Sequence, residues 1–241
     1  MFSKRSTFTD DSLMTLAVAK AFMDAGIDAK DEVIRQNLII TMPHLAKQYP
    51  DVGYGSQFVE WLNSSEHLPY NSFGNGSAMR VSSVAWFYSD IGSVRHAAVL
   101  SAEVTHNHPE GIKGAESVAS AIFLARTRTG KDAIRQYIGA EFGYDLSRTC
   151  DQIRETIQFD ETAPGSVPEA ITAFLEGQSF EDVIRTAVSI GGDSDTIACI
   201  AGSIAEGFYG IPRFLKLKCL MRLPPTLRKL LRRAEHFVCC G

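Results

Sequence analysis

The chain has 241 residues, 45% of them hydrophobic and 22% charged, the make-up of an ordinary globular protein long enough to bury a full core. Its apolar runs fall short of the roughly 20 residues that a membrane-spanning helix requires, so no membrane partner is expected. The net charge of −4 gives no overall basic surplus, and no nucleic-acid partner is expected either.

Residues 1–5 hold two positive charges, but no apolar stretch or small-residue cleavage site follows, so a secretory leader is not expected. The five cysteines are odd in number and form no C-x-x-C pair, which fits a reduced, cytoplasmic setting. Internal repeats and low-complexity segments are absent from the sequence.

In chain order, apolar residues recur at three- and four-residue spacing through 11–24, 31–42, 77–89, 92–104, 109–127, 131–142, 167–176, 180–189, 195–208 and 224–234. Almost nothing alternates with period two. Breakers stand where helices should stop, at Gly26, Pro43, Gly130, Gly143, Gly177 and Gly210. The fold class is therefore all-α, a single compact multi-helix domain over 1–241. Stretches 49–76 and 143–166 are richer in Gly, Pro, Ser and polar residues and read as long loops of the kind that carries function. Residues 211–241 hold eight Lys or Arg against the single acid Glu235. With Leu223, Leu227, Leu230 and Leu231 at helical spacing, this basic stretch reads as the solvated face of a terminal amphipathic helix.

Thr9-Asp10-Asp11 stands immediately before the first helical run, and Asp193-Ser194-Asp195-Thr196 stands before the run that starts at Ile197. One acid at such a place is an ordinary helix cap. Here each start has two acids and a threonine, and neighbouring carboxylates repel unless a cation lies between them. Four carboxylates and two hydroxyls suit a hard divalent cation such as Mg²⁺ or Mn²⁺.

Between these groups, Phe73-Gly74-Asn75-Gly76-Ser77-Ala78-Met79-Arg80 is a glycine-bearing loop that runs into a helix expected over Met79–Tyr88. Such a loop either presents backbone N–H groups and a positive helix end to an anion or is a plain Asn-Gly turn. Thr105-His106-Asn107-His108-Pro109-Glu110-Gly111 links two helices, with Pro109 and Glu110 suited to the first turn of the second. Its histidines read as metal ligands, phosphate donors or loop residues. Metal is the poorest of these, since no cysteine or third histidine accompanies them at ligand spacing. No G-x-S-x-G elbow, P-loop, dinucleotide fingerprint or H-E-x-x-H helix occurs, which leaves a carboxylate site.

Taken in order, T-D-D-S-x-M-T-L-A, G-N-G-S-A-M-R, T-H-N-H-P-E-G and S-I-G-G-D-S-D-T-I-A resemble the ADP-ribosylglycohydrolase family, which includes the dinitrogenase-reductase-activating glycohydrolase and the ADP-ribosylarginine and ADP-ribosylserine hydrolases. The resemblance implies a compact helical bundle with a dinuclear cleft holding two Mg²⁺ (or Mn²⁺). It implies metal ligation by Thr9, Asp10 and Asp11 and by Asp193, Asp195 and Thr196. Ser72, Phe73, Gly74, Asn75, Gly76 and Ser77, with Met79, would wrap the diphosphate and distal ribose, Phe73 would lie against the adenine, and His106 would stand near the phosphates. The implied activity is metal-dependent hydrolysis that removes ADP-ribose from ADP-ribosylated protein side chains or related conjugates, with Asp10, Asp11 and Asp195 as the catalytic residues. The implied partner is thus ADP-ribose or an ADP-ribosylated protein. Family sequences usually also have a G-x-x-x-G-D-x-x-G segment and an acting glutamate some tens of residues before T-D-D. In this sequence eight residues precede Thr9, and the alternative reading is a catalytically weak or inactive metal-dependent ADP-ribose-binding protein.

Overall fold

The computed structural model describes residues 6–240; residues 1–5, weighed above for a leader, and residue 241 lie outside the described residues. Among the described residues there are fourteen helices and no strand: α1 Asp10–Ala25, α2 Asp31–Ala46, α3 Ser56–Asn63, α4 Gly76–Met79, α5 Val84–Phe87, α6 Ile91–Glu103, α7 Pro109–Arg126, α8 Lys131–Phe142, α9 Cys150–Thr156, α10 Ala163–Glu176, α11 Phe180–Ile190, α12 Ser194–Tyr209, α13 Arg213–Leu220 and α14 Pro225–Cys240. The all-α expectation holds. None of these helices is long and apolar enough to cross a membrane.

Three helices, α1, α7 and α12, form the centre. A helix that is apolar or small all round belongs in a core rather than on a surface, and α1 buries Leu13, Ala17, Val18, Ala21 and Phe22 completely. Along α7, Gly114, Ala115, Ser117, Val118, Ala119 and Ala121 let its neighbours come close. Gly207 of α12 sits where a Cβ would stand 3.1 Å from the Ile122 carbonyl oxygen of α7, so a larger residue there would press the two backbones apart by a few tenths of an ångström. The starts of α1 and α12, which hold the acidic groups, open onto one cleft. At the far end of the chain α14 seals the bundle: Leu227 is buried, Phe237 meets the Phe87 ring edge-on at 5.1 Å, and Arg233 pairs with Asp24 at 2.7 Å. Of the eight basic residues in 211–241, Arg228, Lys229, Arg232 and Arg233 lie on this helix, the last three exposed, whereas Arg213, Lys216 and Lys218 belong to α13 and Arg222 to the turn after it, so the basic stretch is shared between two helices.

Several boundaries differ from the expected ones. The run 77–89 is broken into α4 and α5 at Arg80–Ser83, because the Arg80 guanidinium turns inward and is only 1% exposed. Pro43 does not end α2, which continues to Ala46. Proline removes one N–H and crowds the preceding turn, but it lies in the last turn, where the burial of Leu45 and Ala46 outweighs that cost. Helix α10 starts at Ala163 instead of 167: the Thr162 side chain accepts from Gly165 N, and Pro164 fits a first turn. The stretches read as loops contain α3 and α9, and α13 lies in a span with no expected element.

Candidate active site

The two acidic helix starts line one cleft of about 360 Å³, a size ordinary for a small-molecule site. Thr9 precedes α1 in an extended conformation, and Asp193 precedes α12. Neither side chain makes the hydrogen bond of a cap. The Thr9 hydroxyl instead donates to Asp11 Oδ2 at 2.7 Å, while Asp11 Oδ1 is buried with no partner. Two glycines with positive φ, Gly191 (95°) and Gly192 (63°), turn the chain out of α11 and bring Asp193 to the cleft. Residues with a Cβ rarely adopt that backbone.

The charge balance of the cleft is unfavourable as it stands. Burial, followed by the neighbouring Asp11 charge, pushes the Asp10 carboxyl up to about 7. Burial also raises Asp11, against the lowering effect of the Thr9 hydrogen bond. Asp193 is pushed up to about 6 by burial, with the Asn75 hydrogen bond opposing and Asp195 adding to the rise. Among the described residues no ion pair reaches any of the four carboxylates. An orphaned carboxylate oxygen, like-charged neighbours and an all-oxygen donor set suit a hard divalent cation. Among the described residues no three His, Cys, Asp or Glu groups stand as a closed ligand cluster, so the fit rests on donor chemistry and not on ligand distances.

Across the cleft lies the glycine loop. Asn75 N donates to the Glu161 carbonyl at 2.8 Å and Ala163 N to the Phe73 carbonyl at 2.9 Å, which clips the loop to the start of α10 through the antiparallel bridge Gly74–Thr162. The Asn75 amide then donates to Asp193 Oδ2 at 2.7 Å and to Ser166 Oγ at 2.8 Å, so loop and second acidic group form one hydrogen-bonded unit. Only the four-residue α4 follows, and its dipole is small. Among the described residues that line the cleft, Arg80 is the one lysine or arginine.

Of the residues singled out in the sequence, Asp10, Asp11, Asp193, Asp195, Thr196, Ser72, Phe73, Gly74, Asn75, Gly76, Met79 and His106 line the cleft together. Two stand apart from its lining. Thr9 sits behind Asp11, and Ser77 is fully buried with its hydroxyl donated to the Gly111 carbonyl at 2.7 Å. His108 caps α7 by accepting from Glu110 N at 3.1 Å, and its ring lies 5.3 Å from that of Phe73. Gly53, Tyr70, Arg80 and Glu161 also line the cleft and were not anticipated. Gly53 and Gly55 in a polar stretch gave a weak signal; nothing in the sequence marks Arg80 as buried.

Gly111 supports this wall from behind. A Cβ there would stand 2.7 Å from the Ser72 carbonyl oxygen and 3.0 Å from His106 Cβ. Gly111→Ala is expected to destabilise the fold by about 1–3 kcal/mol, the usual cost of overpacking, and, by displacing the loop, to weaken binding in the cleft. Unchanged ligand affinity in a titration of this variant would show that the loop position does not matter to binding.

Comparisons with known proteins agree with one another. The family model described as ADP-ribosylglycohydrolase matches residues 2–237. The sequence is 30% identical over 267 residues to the ADP-ribosylhydrolase ARH3 of Mus musculus, covering 85% of this chain and 70% of that protein. Against the ADP-ribosylhydrolase ARH3 of Homo sapiens it is again 30% identical over 267 residues, covering 85% and 71%. A solved structure titled "ADP-ribosylglycohydrolase-related protein complex" superposes with a TM-score of 0.70 at 21% identity, covering 95% of this chain and 81% of that one, which supports the fold.

Proposed function

The chain belongs to the ADP-ribosylglycohydrolase family, and from that premise we propose that it is a metal-dependent hydrolase that releases ADP-ribose from ADP-ribosylated protein side chains or related conjugates. One observation carries the reading: four carboxylates from two helix starts face a single cleft, neither Thr9 nor Asp193 caps its helix, and a glycine loop bonded to one of them forms the facing wall.

In this reading Asp10, Asp11, Asp193 and Asp195, with Thr9 and Thr196, hold two Mg²⁺ or Mn²⁺ ions. Such ions, when bound, polarise a water and orient ribose hydroxyls. The chain's own residues do the rest. Gly74 N and Asn75 N are already donated to Ser72 Oγ and the Glu161 carbonyl, so the backbone N–H groups of Gly76 and Ser77 receive the diphosphate, and Phe73, 48% exposed at the rim, offers its face to the adenine. The carboxylates orient the attacking water and take up its proton as the anomeric carbon becomes oxocarbenium-like. The bond from that carbon to the carrier breaks, the new bond to the water oxygen forms, and the departing group takes a proton from solvent while the carboxylates return theirs to solvent.

The test incubates the chain with ADP-ribosylated protein and Mg²⁺ and measures free ADP-ribose, alongside calorimetry with ADP-ribose itself. Release of ADP-ribose supports the enzyme. Binding without release selects the metal-dependent ADP-ribose-binding protein instead.

Phe73→Ala is expected to weaken ADP-ribose binding by about 1–3 kcal/mol, the value of one aromatic partner to a base. Ribose-5-phosphate, which has no adenine, should bind both forms alike. Equal loss for both ligands would make Phe73 a support of the fold and not of the base.

A further inference from the structure

Arg80 is fully buried and has no carboxylate partner among the described residues. Its Nη2 donates to the Ser101 carbonyl at 2.9 Å and to Thr105 Oγ1 at 2.7 Å, and its Nε has no partner. A lone buried cation is costly, and one retained against the wall of a cleft calls for a role. Thr105, also fully buried, stands between Arg80 and the imidazole of His106, with Oγ1 2.7 Å from Nδ1. The other ring nitrogen faces the glycine loop: a Cβ on Gly76 would stand 3.2 Å from His106 Nε2, and one on Gly74 would stand 3.5 Å from it. Among the described residues no protein group accepts from that nitrogen.

We propose that Arg80, acting through the Thr105 hydroxyl, is a positioning residue that holds His106 in the neutral form protonated on Nε2, so that the ring presents a hydrogen-bond donor to an anion seated on the glycine loop. The direction of the relay follows from the contacts. A guanidinium hydrogen bond occupies one lone pair of the threonine oxygen and draws its electrons, which makes the hydroxyl a better donor and a poorer acceptor. Two acceptors compete for that proton, Nδ1 at 2.7 Å and the Ala102 carbonyl at 3.4 Å, and the carbonyl already receives the backbone N–H groups of Thr105 and His106. The hydroxyl therefore donates to Nδ1, and the ring proton is left on Nε2. Burial and the Arg80 charge push His106 well below its ordinary range, which keeps the ring neutral. Arg80 thus acts twice, as the field beneath the loop and as the group that aims the donor.

The relay itself is independent of what binds, whereas its consequence for affinity rests on the reading of the cleft as an ADP-ribose site. The experiment uses the full chain with ¹⁵N-labelled histidine and reads the His106 tautomer by NMR without ligand, then ADP-ribose affinity by calorimetry. The wild type and Thr105→Ser should show the proton on Nε2. Thr105→Val and Arg80→Met should populate both tautomers and bind ADP-ribose about tenfold to a hundredfold more weakly, the range for a hydrogen bond to a charged group. Arg80→Lys, which keeps the charge and a donor, should restore much of the difference. A wild-type proton on Nδ1, or a tautomer unmoved in either Thr105→Val or Arg80→Met, would overturn the proposal. Should Arg80→Met not fold, Arg80→Gln, which removes the charge and keeps a polar side chain, takes its place and should also populate both tautomers, while a wild-type tautomer there would remove Arg80 from the relay. If the wild type binds no ADP-ribose, the functional reading fails while the ligand-free spectra still decide the relay.

Discussion

Replacing Asp10 by Asn should make the metal-free chain melt at a higher temperature while lowering its hydrolytic rate by about 10²–10⁴-fold. The stability half follows from sign. The Asp10 carboxyl is raised from 3.8 to about 7, so folding disfavours its charged form. That penalty is full above the folded value and vanishes as the pH falls below the ordinary value, where Asp10 is protonated folded or unfolded. Asparagine removes it at every pH. Because the cleft is open to solvent, the gain is about 1–2 kcal/mol and not the whole of the shift. At about 2–4 °C per kcal/mol for a chain of this size, melting in EDTA should rise by about 2–8 °C. The advantage should be largest at pH 8 and fade toward pH 4. Calorimetric scans at these two pH values, with a hydrolysis assay in Mg²⁺, check both halves. A variant that melts lower than the wild type in EDTA at pH 8 would show that Asp10 is a structural hydrogen-bonding partner, and a wild-type rate would remove it from catalysis.

Such a penalty, retained in the fold, is what separates these helix starts from ordinary caps, and the sequence carried much of that distinction. Doubled acids with a threonine at two remote helix starts already conflicted with capping, since one acceptor suffices for a cap. The central helices were equally plain, because α1, α7 and α12 are long and their apolar spacing persists for several turns. Short helices were not. Helix α3 buries only Phe58 and Trp61, and α9 buries only Cys150 and Ile153, too few positions to establish a period. For α9 a signal did exist: Thr149 and Gln152 form a reciprocal capping box, and that spacing precedes a helix.

The wall facing the acids was harder to read. Its glycines were visible, but their use depends on partners remote in the chain. Asn75 reaches Asp193 and Ser166, and Gly111 leaves room for the Ser72 carbonyl. Arg80 is the clearest case. An arginine at the start of a helix expected over Met79–Tyr88 has no mark of burial in the sequence, since arginines are mostly exposed, and its inward turn beneath His106 shows only in the break between α4 and α5.

Chelation should remove activity and lower the melting temperature together, and the two losses should share one cation titration. With free cation at about 100 times its dissociation constant, one site binding only the folded chain stabilises it by about 2.7 kcal/mol. At the same 2–4 °C per kcal/mol, EDTA should lower melting by about 5–11 °C for each site emptied. Mg²⁺ or Mn²⁺ in excess should restore both properties, because the donors are all oxygen and none is a thiolate. Asp10→Asn provides the internal control. Having lost one carboxylate donor, it should respond less to EDTA than the wild type does, so the melting order reverses: wild type above the variant in Mg²⁺, and below it in EDTA. That reversal distinguishes a cation held by these carboxylates from one bound elsewhere on the surface, which would shift both proteins equally. If EDTA alters neither melting nor hydrolysis in the wild type, the carboxylates hold no cation that matters, and their raised proton affinities would then have to serve the chemistry directly.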